Sequence, residues 1–311
     1  MEAGKNLLNH VVDAKSLIEY LPKVRYLDPF LGQKTHGAIT INYPGQFGNK
    51  LFPLTLGLFL AKKNNLAISY PKIPFLDSYI PSSESLPRAP VYKKINNFSL
   101  DYQNQNISLP SGYYQHSELF NLHREEILST LFDLRPVKLN TEDVVMHVRL
   151  DGFQHNGGST SNIIHPTWYK NILSKLKFDK LYIVLSTVSG KIWKQDKNIY
   201  LSNFSEYNPV IVSSKSERHD FDFMRSFKYF ICSNSTFSWW AAFTSQASKK
   251  FMPPFWEGAS SRLSSIDNGV IVNEKFNFFD FNAPKDIIFK SPEQIEARMS
   301  NLPFPLKYDD K

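Results

Sequence analysis

The chain has 311 residues, enough for two domains of ordinary size or one large one. Hydrophobic residues make up 42% and charged residues 21%, and the 25 Phe, 15 Tyr and 5 Trp exclude a disordered chain. A single cysteine, Cys232, excludes a disulfide framework and a zinc finger, and a net charge of +7 favours an anionic partner such as a nucleotide, a phosphosugar or a nucleic acid.

The opening MEAGKNLLNHVVDAK is too polar for a signal-peptide core. Nowhere do about 18 apolar residues run together, so no membrane span is expected. The expectation is a cytoplasmic protein or, alternatively, a soluble piece of something anchored. Residues 1–36 are mixed, with a short helix at Ala14–Leu21. Gly37–Tyr43 reads as a strand, and Pro44-Gly45-Gln46-Phe47-Gly48-Asn49 as a turn cluster. Lys50–Asn64 follows as a helix with Pro53 in its first turn, then Leu66–Tyr70 as a second strand. This is a β-turn-α-β unit suited to a parallel sheet. Residues 71–111 read as loops with short strands, and Leu122–Phe132 as a helix. A domain boundary is expected near Asn140.

Strand and helix alternate more regularly beyond it. Strands are expected at Val144–Arg149, Leu181–Ser186, Pro209–Ser213, Tyr229–Cys232 and Lys250–Met252. Helices are expected at Thr167–Lys177, where Trp168, Ile172 and Leu176 share one face, from about Asp220, and after a polar turn as a Trp-containing helix to about Ser248. The tail beyond residue 275 carries a helical pattern at Pro292–Met299. The organisation is two β/α domains, residues 1–140 and 141–275, with residues 276–311 packing back on the first.

Four segments carry chemistry. Ser233-Asn234-Ser235-Thr236-Phe237-Ser238-Trp239-Trp240 lies between an apolar strand and an apolar helix. It reads either as a plain N-cap or as a phosphate cradle built from helix-start N–H groups and the helix dipole. His147-Val148-Arg149 ends a strand, with His147 and Arg149 on one side by alternation. The Arg149 fork suits a diphosphate, or else pairs with Asp151 at a rim. Asp220-Phe221-Asp222 matches a metal-binding D-x-D pattern, but on a helix positions i and i+2 point apart, so no metal site is expected. Asp220 reads instead as an N-cap, or as a carboxylate accepting from the two adjacent donors of guanine. Gly45 and Gly48 allow a tight turn, although the segment is neither G-x-G-x-x-G nor a P-loop. Basic residues are scattered rather than striped, so nucleic-acid binding rests on overall charge alone.

Taken together, these segments resemble the α-1,2-fucosyltransferases of glycosyltransferase family 11. Ser233–Ala242 (SNSTFSWWAA) carries the closest likeness. Gly45-Gln46-Phe47-Gly48-Asn49-Lys50-Leu51-Phe52 resembles the family's N-terminal Gly-x-Gly-Asn-x-Leu-Phe turn. Gly112-Tyr113-Tyr114-Gln115 resembles its Gly-Tyr-aromatic-Gln segment, and His147-Val148-Arg149 the start of its His-x-Arg-Arg-Gly-Asp motif. The likeness covers roughly residues 37–257. Leu150 stands where the family has a second Arg, and Asp151-Gly152 where it has Gly-Asp.

The resemblance implies a GT-B-like α/β fold, two Rossmann-like domains facing across a cleft. It implies inverting transfer of L-fucose from a GDP-fucose donor to a glycan acceptor hydroxyl, with no required metal or other cofactor. Residue by residue, it implies Arg149 on the donor diphosphate, His147 beside the nucleotide, the helix start at Ser235 and Thr236 cradling the phosphates, and Asn234 and Phe237 among the donor-binding residues. It places Asp220 where guanine is read, Asp151 as the general-base candidate, and Gly45, Gly48 and Asn49 on the cleft from the first domain. Two alternatives stand beside it: a same-fold transferase using another nucleotide sugar, and a catalytically silent nucleotide- or glycan-binding protein.

Overall fold

Parallel pairing with helical crossovers organises both large sheets of this chain. The computed structural model describes residues 11–12, 37–42, 45, 47–70, 93–94, 105–109, 112, 114–115, 120–121, 123–131, 140–150, 163–186, 194–212, 216–253, 269–271 and 278–279. The expected helices at Ala14–Leu21 and Pro292–Met299 lie outside the described residues. The fold is mixed α/β with parallel sheets. Contacts group the chain into two units, Tyr20–Arg135 and the combination of Met1–Glu19 with Pro136–Lys311. Among the described residues no helix is long and apolar enough to cross a membrane.

Strand β1 (Val11–Val12) belongs to the second of these units. The Tyr20–Arg135 unit holds β2 (Ala38–Ile41), α1 (Phe47–Asn64), β3 (Ala67–Ser69), β4 (Lys93–Lys94), β5 (Asn106–Leu109) and α2 (Arg124–Leu131). Its four strands run in the order β3-β2-β5-β4, all parallel. Helix α1 is buried on nearly every side, which matches its almost uninterrupted apolar sequence. It starts three residues earlier than expected. Pro53 is therefore the seventh helical residue, past the first turn, and its missing N–H removes the bond to the Asn49 carbonyl. The glycines and Gln46 read as turn formers, yet Gly48 is drawn into the helix because its backbone is buried there.

The other unit is built around β6 (Asn140–Arg149), β7 (Ile163–Ile164), α3 (Pro166–Leu173), β8 (Leu181–Ser186), α4 (Lys194–Ser202), β9 (Val210–Val212) and α5 (Glu217–Met224). It continues with β10 (Phe227–Ile231), α6 (Thr236–Thr244), β11 (Lys249–Met252), β12 (Gly269–Ile271) and β13 (Phe278–Phe279). Seven strands form one parallel sheet in the order β1-β9-β8-β6-β10-β11-β12. Counting from β6, the chain adds β8 and β9 on one side, then returns to add β10, β11 and β12 on the other. Apart from the edge strand β1, this is the doubly wound order 3-2-1-4-5-6. Strands β7 and β13 form a separate antiparallel pair.

Alternation along β6 divides its side chains between the two faces. Val144, Met146, Val148 and Leu150 join Trp168, Tyr169, Ile172, Tyr200 and Phe204 in one core cluster. Val145, His147 and Arg149 alternate onto the opposite face. There α5 and α6 lie, and Phe237 of α6 approaches the His147 ring at 5.9 Å. Helix α6 is buried from Ser238 to Thr244, and Trp239 stacks on Phe243 at 5.0 Å.

Several boundaries differ from the sequence reading. Helix α5 is capped by Ser216, whose side chain accepts from His219 N at 3.4 Å, so Asp220 is the fourth helical residue and not the N-cap. Ser216 wins because a hydroxyl three residues before a free N–H fits the capping geometry. Helix α6 ends at Thr244, where the Ser245 hydroxyl donates to Ala242 O at 2.9 Å and closes the last turn. Helix α4 escapes sequence detection because its polar residues show little apolar periodicity. Among its described residues Tyr200 and Leu201 are buried in the core, while Ile199 is exposed.

Gly37 leads into β2 beside the backbone of the neighbouring strand: a Cβ there would stand 2.3 Å from the Gln105 carbonyl oxygen. Backbone cannot rotate away as a side-chain tip can. Gly37→Ala should therefore destabilise the Tyr20–Arg135 unit by roughly 1–3 kcal/mol, read from urea unfolding midpoints. An unchanged midpoint would show that the β2–β5 spacing is not held as described.

Candidate functional site

In an open parallel sheet, ligands bind outside the carboxyl ends of the strands where the winding reverses. In the seven-stranded sheet that point lies between β6 and β10. The two strands pair directly, with Ile231 opposite Met146. Beyond that register, β6 supplies His147 and Arg149, and β10 leads through Cys232 into Ser233, Asn234 and Ser235. The structure thus brings together residues 86 positions apart: His147 Nδ1 lies 2.6 Å from Ser233 Oγ.

Burial sets the charge state of this cluster. His147 is 1% exposed, and its pKa is held down to about 3 from the ordinary 6.5, first by burial and then by the Arg149 charge. The imidazole is neutral at physiological pH. Among the described residues its Nε2 has no hydrogen-bond partner. A buried polar group left so costs about 1–3 kcal/mol. Burial likewise pushes the Cys232 thiol and the Tyr169 phenol up, so both stay protonated. Cys232 is a neutral weak donor toward Ser238 O at 3.9 Å and not a nucleophile. Tyr169 donates to the His147 carbonyl at 3.2 Å and ties the C-terminal end of β6 to α3.

Ser235 occupies the N-cap of α6 in extended conformation, but its side chain makes no capping bond. Ser238 turns back instead and donates to Ser235 O at 3.0 Å and Ser233 O at 3.2 Å. The plain N-cap reading thus fails for the Ser235 hydroxyl, which does not cap the first-turn N–H groups. Asn234 and Ser235 are buried, while Thr236 and Phe237 are half-buried. The Phe237 ring lies between His147, at 5.9 Å, and Phe221 of α5, at 5.6 Å. Asp220, the neighbour of Phe221 in sequence, is buried on α5. Asp222 is engaged elsewhere, accepting from Arg225 at 3.2 Å and facing Arg218 at 3.7 Å. Among the described residues no set of three His, Cys, Asp or Glu side chains is grouped for a metal. Asp151 lies outside the described residues.

The remaining expected site residues belong to the other unit and lie where β2 passes into α1. Gly45 has φ +82°, a conformation that favours glycine, and a Cβ there would meet Asn49 Nδ2 at 2.8 Å. Gly48 is buried in the first turn of α1. Asn49 Oδ1 accepts from Gln115 Nε2 at 3.2 Å, which joins the turn after β2 to the segment after β5. Next to Gln115, Tyr114 holds φ +46°, an uncommon conformation for an aromatic residue. Ser233, Ser238, Phe221 and Gln115 carry no assigned role in the sequence reading. Their part depends on contacts across the sheet. For Ser233 the available signal was its place at the carboxyl end of an apolar strand.

No family model matches the chain, and no curated protein matches it. Among solved structures, the chain is similar to an iron-containing heptosyltransferase, TibC, solved as a dodecamer in complex with ADP-D-β-D-heptose. The identity is 13%, the match covers 84% of this chain and 72% of that one, and the TM-score is 0.44.

The depressed His147 pKa has a thermodynamic consequence. The unfolded imidazole binds a proton near pH 6.5, whereas the folded one does so only near 3, so acid favours the unfolded chain. The contribution is intact above pH 6.5 and lost as pH falls toward 3. Between pH 7 and 5 the native protein should lose about 2 kcal/mol that the His147→Asn variant does not lose. Urea titrations of both proteins at the two pH values check this; equal losses would show that His147 titrates normally in the fold.

Proposed function

We propose that the unit containing Pro136–Lys311 binds a nucleotide sugar and that the protein is a glycosyltransferase. One observation carries this reading: His147, Arg149 and the uncapped start of α6 converge where a doubly wound parallel sheet reverses its winding. That geometry suits a diphosphate. Backbone N–H groups at a helix start and a guanidinium fork are both pre-aimed donors for anionic oxygens.

The finer proposal is an inverting, α-1,2-fucosyltransferase-like enzyme that moves L-fucose from GDP-fucose to a glycan hydroxyl in a GT-B-like arrangement, without a metal. The run Ser233–Ala242 supports it. The bond between the anomeric carbon and the β-phosphate oxygen breaks, and GDP leaves with the electron pair. The acceptor oxygen bonds to the anomeric carbon from the opposite face and gives its proton to a base, for which Asp151 is the candidate. The sugar passes through an oxocarbenium-like state. Arg149 and the helix-start N–H groups meet the charge that develops on the phosphate. Asp220 accepts from guanine, and Gly45, Gly48 and Asn49 serve the acceptor side.

A specific observation supports a second reading. Leu150 is 1% exposed and belongs to the core cluster. The position that carries a second Arg in the resembling family therefore serves packing here and offers the phosphates nothing. A site with one Arg fewer suits a same-fold transferase with another nucleotide sugar.

Thermal unfolding with GDP, UDP, ADP, GDP-fucose and GDP-mannose separates the readings, because a ligand of the native state raises the midpoint by mass action. GDP and GDP-fucose should raise it and UDP should not. A shift with UDP or ADP alone would move the assignment to another donor, and no shift with any of them would overturn nucleotide binding. Arg149→Ala should weaken GDP binding by roughly 1.5–3 kcal/mol, the scale of a charge-assisted hydrogen bond. Transfer from GDP-fucose, followed as GDP release, should persist in a chelator; loss restored by Mn²⁺ would revive a metal role for Asp220.

A further inference from the structure

Ser233 stands between two buried groups that compete for its single hydroxyl proton. Its Oγ lies 2.6 Å from His147 Nδ1 and 3.4 Å from Ser238 Oγ. The Ser238 proton is already directed at Ser233 O and Ser235 O, at 3.2 Å and 3.0 Å. A hydroxyl has one proton to give, so Ser238 can only accept from Ser233. Two arrangements remain. Ser233 donates to Nδ1 across the short contact, or it accepts from Nδ1–H and donates to Ser238 across the long one. The second depends on an O–H···O contact well beyond the usual 2.5–3.0 Å range. The first uses the short contact fully.

The geometry points to Ser233 as a positioning residue that holds His147 in the tautomer with its proton on Nε2, a buried N–H donor kept for a ligand at the β6–β10 reversal point. Three observations support it. Ser233 and His147 are both about 1% exposed, so water does not compete for the imidazole. Among the described residues Nε2 is buried and meets no partner, so its hydrogen-bonding capacity is left for a group outside them. The imidazole is neutral, so its tautomer rather than its charge decides what it offers. Resting on the nucleotide-sugar proposal, the acceptor is an oxygen of a nucleoside diphosphate.

The test uses the full chain with ¹⁵N-labelled histidine, His147→Asn assigning the resonances. Wild type should show Nε2 protonated and Nδ1 as a hydrogen-bonded acceptor. In Ser233→Ala the Nδ1 resonance should move to that of an unbonded acceptor, and GDP should bind about tenfold more weakly, the scale of one hydrogen bond. Ser233→Thr, which keeps the hydroxyl, should retain both properties. A proton on Nδ1 in wild type, or an Nδ1 resonance indifferent to Ser233→Ala, would overturn the assignment. If Ser233→Ala does not fold, the wild-type spectrum and Ser233→Thr still decide it. A wild type that shows the Nε2 tautomer but does not bind GDP overturns the nucleotide as ligand and leaves the positioning role of Ser233 supported.

Discussion

The pairing of β6 with β10 is the constraint on which the C-terminal site depends. Two strands separated by nearly eighty residues lie side by side because the chain first builds the sheet outward through β8 and β9, then returns to the other edge of β6. Helical crossovers from two adjacent strands leave toward opposite faces at such a point, and a crevice opens beyond the strand ends. Without that reversal, Arg149 and the start of α6 would be remote features of two unrelated segments.

The polar groups at this reversal point are held in an apolar setting, which explains their chemistry. Trp239, Trp240 and Phe243 pack as one aromatic group within α6, and Tyr182, Phe223 and Phe227 as another beside α5. Low local polarity keeps His147 neutral and Cys232 protonated. It also obliges hydroxyls to find partners nearby. Ser238, Thr244 and Ser245 all return to carbonyls of their own segment. Ser233 differs, since its closest polar contact is a side chain on another strand.

The smaller sheet is held together differently at the same strand ends. Its order is β3-β2-β5-β4, and the segments that follow β2 and β5 lie against each other, with Phe52 meeting Phe120 at 5.5 Å and Phe59 meeting His123 at 4.6 Å. Asn49 and Gln115 join the same two segments by a hydrogen bond.

Much of this is legible in the sequence. Apolar runs at Val144–Val148 and Leu181–Leu185 mark strands buried on both faces. The alternation that sets His147 and Arg149 on one side of β6 holds. The polar run after β10 does open a helix, as its hydroxyl residues indicate. Local pattern failed where a choice depended on surroundings. Gly48 reads as a turn residue and Pro53 as a first-turn residue, but α1 begins at Phe47, takes in Gly48 and leaves Pro53 past its first turn. Asp220 and Ser216 are both suitable caps by residue type, and only the position of His219 N decides between them. The sequence alone determined which segments are apolar, which are polar and how they alternate, because those properties follow from covalent structure and spacing. The tertiary structure alone decided that Ser233 meets His147, that Leu150 serves the core and that Asp222 is occupied by two arginines. Those contacts join residues through strand order and packing, and no local pattern encodes strand order.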